Sequence, residues 1–92
     1  MNNVVIIRKM KIIKFGNEKC APCRALNEFL KSNTPPNMEI ISVTRETHPE
    51  LFEKHGVRMI PLLIQVDDEG KEVKRWRGMG FMRYIDEKEF NK

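Results

Sequence analysis

The chain has 92 residues, of which 40% are hydrophobic and 33% are charged, and its formal net charge is +4. This composition excludes an intrinsically disordered chain, and the length predicts one globular domain over residues 1–92. We expect a cytoplasmic protein, because no apolar run approaches the about 20 residues of a membrane span and residues 4–7 are too short a run for a signal peptide. The positive charge favours acidic protein partners. We expect no nucleic acid partner, because the basic residues alternate with apolar ones as on a solvated strand face.

The first predicted elements are a strand and a helix. Residues 11–15 are interpreted as a buried strand, which the apolar residues 4–7 either extend or precede as a separate strand. A helix follows, because Pro22 is tolerated in a first helical turn and apolar residues then recur at helical spacing through Leu30. The polar and proline-rich residues 32–36 end it.

The middle of the chain predicts a strand, a short helix and a second strand. Residues 38–43 have strand composition, and residues 47–50 have the form of a capping box, with a hydroxyl followed three positions later by a glutamate. The helix that this box opens is expected to end at Gly56 in the left-handed conformation. The strongly apolar residues 57–66 predict one long strand, and residues 67–70 predict a hairpin turn.

The last third of the chain predicts a returning strand and a final helix. Residues 71–76 alternate as a strand does, the glycines within residues 78–80 are expected to break the chain, and residues 81–90 form a weaker amphipathic pattern. The order is strand, helix, strand, helix, strand, strand, helix. This order predicts an α/β fold in which a central mixed sheet has helices on both faces.

The two cysteines, Cys20 and Cys23, are separated only by Ala-Pro. This spacing is too tight for a bridge between distant elements and suits redox catalysis, redox sensing or metal binding. The start of a helix stabilises negative charge, so we expect Cys20 to react as a thiolate, with neighbouring Lys19 adding to the effect. Cys23 lies one turn further along and is expected to be buried. Cys20 would then attack a substrate disulfide and Cys23 would resolve the mixed disulfide.

Three stretches of the sequence resemble the thioredoxin family. Residues 12–15 followed by Cys-Ala-Pro-Cys at 20–23 are similar to the family's first central strand and active site. Residues 56–63 resemble its second conserved stretch, an apolar residue followed by a cis-proline, and residues 71–78 resemble its final strand and the glycine after it. The resemblance, over about residues 10–90, implies a thioredoxin fold and a thiol–disulfide oxidoreductase that reduces protein disulfides.

The resemblance also implies roles for individual residues. It places a cis Pro61 beside the catalytic Cys20 and Cys23, and it has Ile60 offer its backbone to an extended substrate by strand addition. No metal or organic cofactor is implied, and electrons would come from a thioredoxin reductase or from glutathione. We expect the protein to act as a monomer.

The sequence departs from the family pattern at two positions near the cysteines. Lys14 stands where thioredoxins usually have a buried aspartate that assists proton transfer to and from the resolving thiol, and Lys19 stands where they usually have tryptophan. Lys14 either faces solvent or lies near the thiols, where an ammonium group would stabilise a thiolate rather than accept a proton. The thioredoxin type of general base is therefore in doubt.

Three alternatives remain open from the sequence. The chain could be a glutaredoxin-like protein reduced by glutathione, a non-catalytic thioredoxin-fold module that docks an acidic protein, or a zinc- or cluster-binding protein dimerised through Cys20 and Cys23. Zinc would need further ligands, and His48 and His55, six residues apart, fit the usual spacing poorly. We interpret both histidines as surface residues, Trp76 as a packing residue, and the six methionines as core fillers.

Overall fold

The computed structural model describes residues 9–90, with side chains up to Glu87, so the predicted strand over residues 4–7 lies outside the described residues. In chain order the elements are strand β1 (Met10–Phe15), helix α1 (Ala21–Asn33), β2 (Met38–Val43), α2 (Pro49–Lys54), β3 (Leu62–Val66), β4 (Glu72–Arg77) and α3 (Gly78–Phe90). This is the predicted order. No helix among these residues is long and apolar enough to cross a membrane.

The four strands form one mixed sheet in the order β2-β1-β3-β4. Strand β1 lies inside the sheet, parallel to β2 and antiparallel to β3, and β4 is an edge strand antiparallel to β3. The prediction of a mixed sheet is confirmed. Because β1 is a central strand, its carboxyl end at Phe15 delivers the following loop and the start of α1 to the middle of one sheet edge.

Helices cover both faces of the sheet, as predicted. Successive strand side chains point to opposite faces, so the apolar residues of the strands need a helix layer on each side. Ile12 faces the layer of α1 and α3, and Ile13 faces the layer of α2. The buried residues of the first layer include Ile12, Leu26, Leu30, Leu63, Phe81 and Ile85. Those of the second layer include Ile13, Phe15, Val43, Phe52, Leu62 and Ile64. Trp76 packs against the first layer, with its ring 5.1 Å from that of Phe81, which agrees with its interpretation as a packing residue.

The long strand predicted over residues 57–66 is wrong in its first half, because β3 begins only at Leu62. The backbone groups of Val57 are used elsewhere: its N–H donates to Phe52 O at 2.9 Å, and its carbonyl accepts from Arg45 Nη2 at 3.1 Å. Pro61 has no N–H to donate to a strand ladder. Residues 57–61 are therefore a loop that leads into the sheet.

The predicted capping box of α2 is also wrong. Thr47 Oγ1 accepts a hydrogen bond from Thr44 N at 2.9 Å, and His48 is the N-cap without a side-chain cap bond. The reason is Pro49, since a residue before proline is disfavoured in the helical conformation and the helix can begin only at the proline. The predicted end is confirmed, because Gly56 follows α2 with φ of +60°.

The glycines at 78–80 do not break the chain as predicted. Helix α3 begins at Gly78, directly after the last residue of β4. Gly78 lies against Pro61, where its N–H donates to Pro61 O at 3.2 Å. The absence of a Cβ at Gly78 lets the chain turn from strand to helix at this contact without loop residues.

Candidate active site

Cys20 is the N-cap residue of α1, in an extended conformation, at the point where the loop after β1 meets the helix. Its Sγ accepts a hydrogen bond from the Cys23 N–H at 3.3 Å, as N-cap side chains do. Pro22 lies in the first turn of α1, as predicted, where its missing backbone N–H would have no partner within the helix. The Cys23 N–H and the positive dipole end of α1 therefore face the half-buried Cys20 sulfur.

Cys23 is 3% exposed, so its predicted burial is confirmed, and its Sγ lies 2.6 Å from Cys20 Sγ. Both cysteines are free thiols. Burial raises the pKa of Cys23 to about 11, and the hydrogen bond that it donates to Cys20 acts in the same direction. The backbone of Asn17 and the ammonium group of Lys14 partly oppose the rise. The pair thus has an accessible sulfur that accepts hydrogen bonds and a buried one that keeps its proton.

Pro61 shares a cavity of about 270 Å³ with Cys23, and the Ile60–Pro61 peptide bond is cis. The proline ring is held from behind by Gly78, where a Cβ would lie 2.7 Å from Pro61 Cγ. Ile60 is half-buried beside it. The fold therefore brings the four residues singled out in the sequence to one end of the sheet, although Pro61 is 38 positions from Cys23 in the chain.

Lys14 lines the same cavity as Cys23 and is half-buried, so it is not a solvent-facing residue. Its Nζ donates a hydrogen bond to Asn27 Oδ1. Burial lowers the pKa of Lys14, while the negative charge of an ionised Cys23 would raise it. The position where thioredoxins usually have a buried aspartate thus holds an amine that interacts electrostatically with Cys23 Sγ.

His55 is 8% exposed, so its interpretation as a surface residue is wrong. It closes α2 and packs against the Phe15 ring, with ring centroids 6.0 Å apart. Its Nε2 has no hydrogen-bond partner among the described residues. In the described part of the chain, no group of three or more His, Cys, Asp or Glu residues is arranged to hold a metal ion.

Two methionines are wrongly interpreted as core fillers. Met59 is 53% exposed and Met79 is 75% exposed. Met59 directly precedes Ile60, and Met79 directly follows Gly78, so both lie next to the residues that surround Pro61. Their positions next to Ile60-Pro61 and Gly78, outside the strands, were the available signal that they lie at the surface.

The sequence is similar to those of thioredoxins and thioredoxin-like proteins, although no protein-family model matches it. It is 33% identical over 66 residues to the SPbeta prophage-derived thioredoxin-like protein YosR of Bacillus subtilis, which covers 72% of this chain and 79% of the relative. It is 35% identical over 79 residues to a thioredoxin of Chlamydia caviae, which covers 84% and 76%.

Solved structures of thioredoxins share the fold. The thioredoxin of Trypanosoma brucei brucei superposes with a TM-score of 0.71 at 17% identity, over 91% of this chain and 77% of that one. The thioredoxin of Fasciola hepatica superposes with a TM-score of 0.70 at 23% identity, over 86% and 80%. The thioredoxin fold expected from the sequence is confirmed.

Proposed function

The chain belongs to the thioredoxin family of thiol–disulfide oxidoreductases, and from this premise we propose that its Cys20–Cys23 dithiol reduces disulfide bonds in proteins. The observation that carries the proposal is the geometry of the two sulfur atoms at the start of α1. Cys20 Sγ accepts hydrogen bonds from both the N–H and the S–H of Cys23. Such donors stabilise a thiolate, which is the form that attacks disulfides.

In the first step the Cys20 thiolate attacks one sulfur of the substrate disulfide. A bond forms between Cys20 Sγ and that sulfur, the substrate S–S bond breaks, and the other substrate sulfur leaves as a thiolate that takes a proton from solvent. The half-buried position of Cys20 suits this role, because its sulfur can be reached while Cys23 stays covered.

In the second step Cys23 loses its proton and attacks Cys20 Sγ. The mixed disulfide breaks, the second substrate sulfur leaves as a thiolate that takes up a proton in place of the one that Cys23 released, and the protein keeps a Cys20–Cys23 disulfide after passing two electrons to the substrate. The pKa of about 11 for Cys23 makes its ionisation the demanding part of this step. The ammonium group of Lys14 favours the Cys23 thiolate through its charge, and Asn27 holds that group in the cavity.

The substrate is proposed to lie across Ile60 and Pro61 in an extended conformation. Neither the N–H nor the C=O of Ile60 forms a backbone hydrogen bond within residues 9–90, so both can pair with a substrate strand. The exposed Met59 and Met79 adjoin this stretch and offer apolar contact to the same segment.

The remaining features of the proposal concern the setting of the reaction. Residues 1–92 act as one domain and as a monomer, in the cytoplasm, where closely spaced cysteines serve redox chemistry rather than structural bridging. The dithiol is regenerated by a thioredoxin reductase or by glutathione. Nothing in the exchange requires a metal or an organic cofactor.

Two cysteine variants test the function. Cys23→Ser is expected to accumulate a stable mixed disulfide between Cys20 and the substrate, visible by mass spectrometry, whereas Cys20→Ser forms none and reduces nothing. Full activity of Cys20→Ser would contradict the role given to Cys20. If the unaltered protein reduces no disulfide and, like Cys20→Ser, only binds an acidic partner, the chain is a binding module and the proposal fails.

The electron donor is identified by turnover of a protein disulfide with two regenerating systems. One holds NADPH and thioredoxin reductase, and the other holds glutathione and its reductase. Turnover with the first alone marks a thioredoxin-type reductant, and turnover with the second alone marks the glutaredoxin-like alternative. No turnover in either, with Cys20 and Cys23 intact and reduced, contradicts the proposal.

A further inference from the structure

We propose that a groove beside Ile60, which we call the arginine groove, binds acidic side chains of the disulfide substrate. This inference rests on the proposed function and adds to it the chemical class of the substrate. The groove has a volume of about 350 Å³, and the lining residues that matter here are Arg58, Met59, Leu62, Arg75 and Arg77. The loop that leads into β3 forms one wall, and the end of β4 forms the other.

The arginine groove is continuous with the proposed substrate contact. Met59 is bonded directly to Ile60, and Leu62 directly to Pro61. Across the sheet Arg77 is the register partner of Leu62, and Gly78, which follows it, contacts Pro61. A segment lying along Ile60 therefore enters the groove without leaving the surface of the protein.

Two of the three guanidinium groups in the groove are uncompensated. Arg75 is neutralised, because its Nε and Nη2 each lie 2.6 Å from a Glu72 carboxylate oxygen and Nη2 also donates to His55 O at 2.8 Å. Arg58 and Arg77 are exposed, and neither forms an ion pair with any side chain of residues 9–87. The groove therefore presents net positive charge to whatever occupies it.

Two lysines elsewhere on the protein surface are paired, whereas other exposed cations, such as Lys19 and Lys71, form no ion pair among the described side chains. Arg58 and Arg77 are distinguished by lining one groove. Lys11 pairs with Asp68 at 3.4 Å, and Lys31 pairs with Glu28 at 3.0 Å. Both pairs are solvent-exposed, so they contribute little to stability and hold their charges in local balance. In the groove the corresponding partner is missing from the described chain, and a substrate can supply it.

The chemistry of the groove favours carboxylates on an otherwise apolar segment. Guanidinium groups bind carboxylates through paired hydrogen bonds, and the Leu62 and Met59 side chains offer apolar surface between the charges. Residues two apart in an extended chain lie on the same face, about 6.6 Å apart. Since Arg58 precedes Ile60 by two positions, we expect aspartate or glutamate two to four positions from the substrate cysteine.

The test compares disulfide substrates that differ only in these positions. One peptide disulfide carries glutamates beside the cysteine, a second carries glutamines, and a third carries lysines. We expect kcat/KM to favour the glutamate peptide over the glutamine peptide by roughly fivefold to twentyfold at low ionic strength, mainly through KM, since exposed ion pairs are individually weak. The preference is expected to shrink at 0.5 M salt.

A double variant, Arg58→Glu with Arg77→Glu, is expected to lose this preference and to favour the lysine peptide. The matched control is Lys31→Glu with Lys71→Glu, which changes the net charge equally. Lys31 lies 11 residues beyond Cys20, about 16 Å along the helix, and Lys71 adjoins the far end of β4. If the control loses the preference for the glutamate peptide as completely as the arginine variant, that preference arises from the net charge of the whole protein and the arginine groove plays no part.

Two further measurements separate this inference from the proposed function. Turnover of neutral 2-hydroxyethyl disulfide reports on the dithiol alone, and we expect the arginine variant to match the unaltered protein. Fluorescence anisotropy with serine-for-cysteine peptides reports on the groove alone, without exchange chemistry. Equal binding of glutamate and glutamine peptides overturns the groove whatever the activity, and failure of the neutral disulfide to react overturns the function whatever the binding.

Discussion

Replacing Gly78 by alanine is expected to reduce activity by displacing Pro61. A Cβ at this position would lie 2.7 Å from Pro61 Cγ, and ordinary van der Waals contact begins at 3.4 Å, so the two groups must separate by about 0.7 Å. Neither side yields easily. Pro61 is a rigid ring directly before β3, and the Gly78 backbone is held by its hydrogen bond to Pro61 O.

The size of the effect follows from two opposing terms. Overpacking of this kind costs about 1–3 kcal/mol of unfolding free energy. Alanine in a helix recovers up to about 1 kcal/mol relative to glycine. Gly78→Ala is therefore expected to be destabilised by about 0–2 kcal/mol. Activity is expected to suffer more: because reacting groups tolerate misplacement poorly, a shift approaching 1 Å beside the cysteine pair should lower kcat/KM about tenfold.

Gly80 provides the matched control. It lies two residues further along the same helix, and a Cβ there would meet no atom within 4 Å. Gly80→Ala is expected to keep full activity and to gain up to about 1 kcal/mol in stability. Urea unfolding measures the free energies, and reduction of a protein disulfide under saturating electron donor measures kcat/KM.

The comparison can refute the reasoning in two ways. Equal activity of both alanine variants and the unaltered protein would mean that the position of Pro61 does not govern the exchange. Equal losses in both variants would mean that helix α3, rather than the contact between Gly78 and Pro61, is responsible.

Two further predictions concern Lys14 and His55. Lys14→Met removes the charge that favours the Cys23 thiolate, so the second step should slow roughly threefold to tenfold while attack by Cys20 is unchanged. Rapid-quench trapping of the mixed disulfide measures the rates of both steps. An unchanged second step would contradict the role given to Lys14. Burial, with the charge of Lys54, lowers the pKa of His55, so the folded protein resists a proton that the unfolded chain accepts near pH 6.5. The free energy of unfolding should therefore fall as pH drops below about 6.5, by at most about 1.4 kcal/mol per pH unit. Urea unfolding of His55→Phe between pH 5 and 8 should lack this contribution to the pH dependence. If the variant keeps the same pH profile, another group is responsible.

Local signals in the sequence predicted the order of the elements well. The apolar run in β1, the proline in the first turn of α1 and the left-handed Gly56 each depend on neighbours a few positions away. Errors arose where a neighbouring proline or a distant contact decided the outcome. Pro49 moved the start of α2, and Pro61 delayed the start of β3.

The reactive pair is also largely a local structure. Cys20 and Cys23 are three residues apart on one helical turn, so the sequence alone determined that the second sulfur would lie beside the first at a helix start. The contacts that give the site its particular character join residues far apart in the chain. The burial of His55 against Phe15, the cavity shared by Lys14 and Pro61, and the position of Arg77 beside Leu62 depend on strand register and layer packing. Only the tertiary structure decided them, because register is fixed by which side chains from distant segments can share one core.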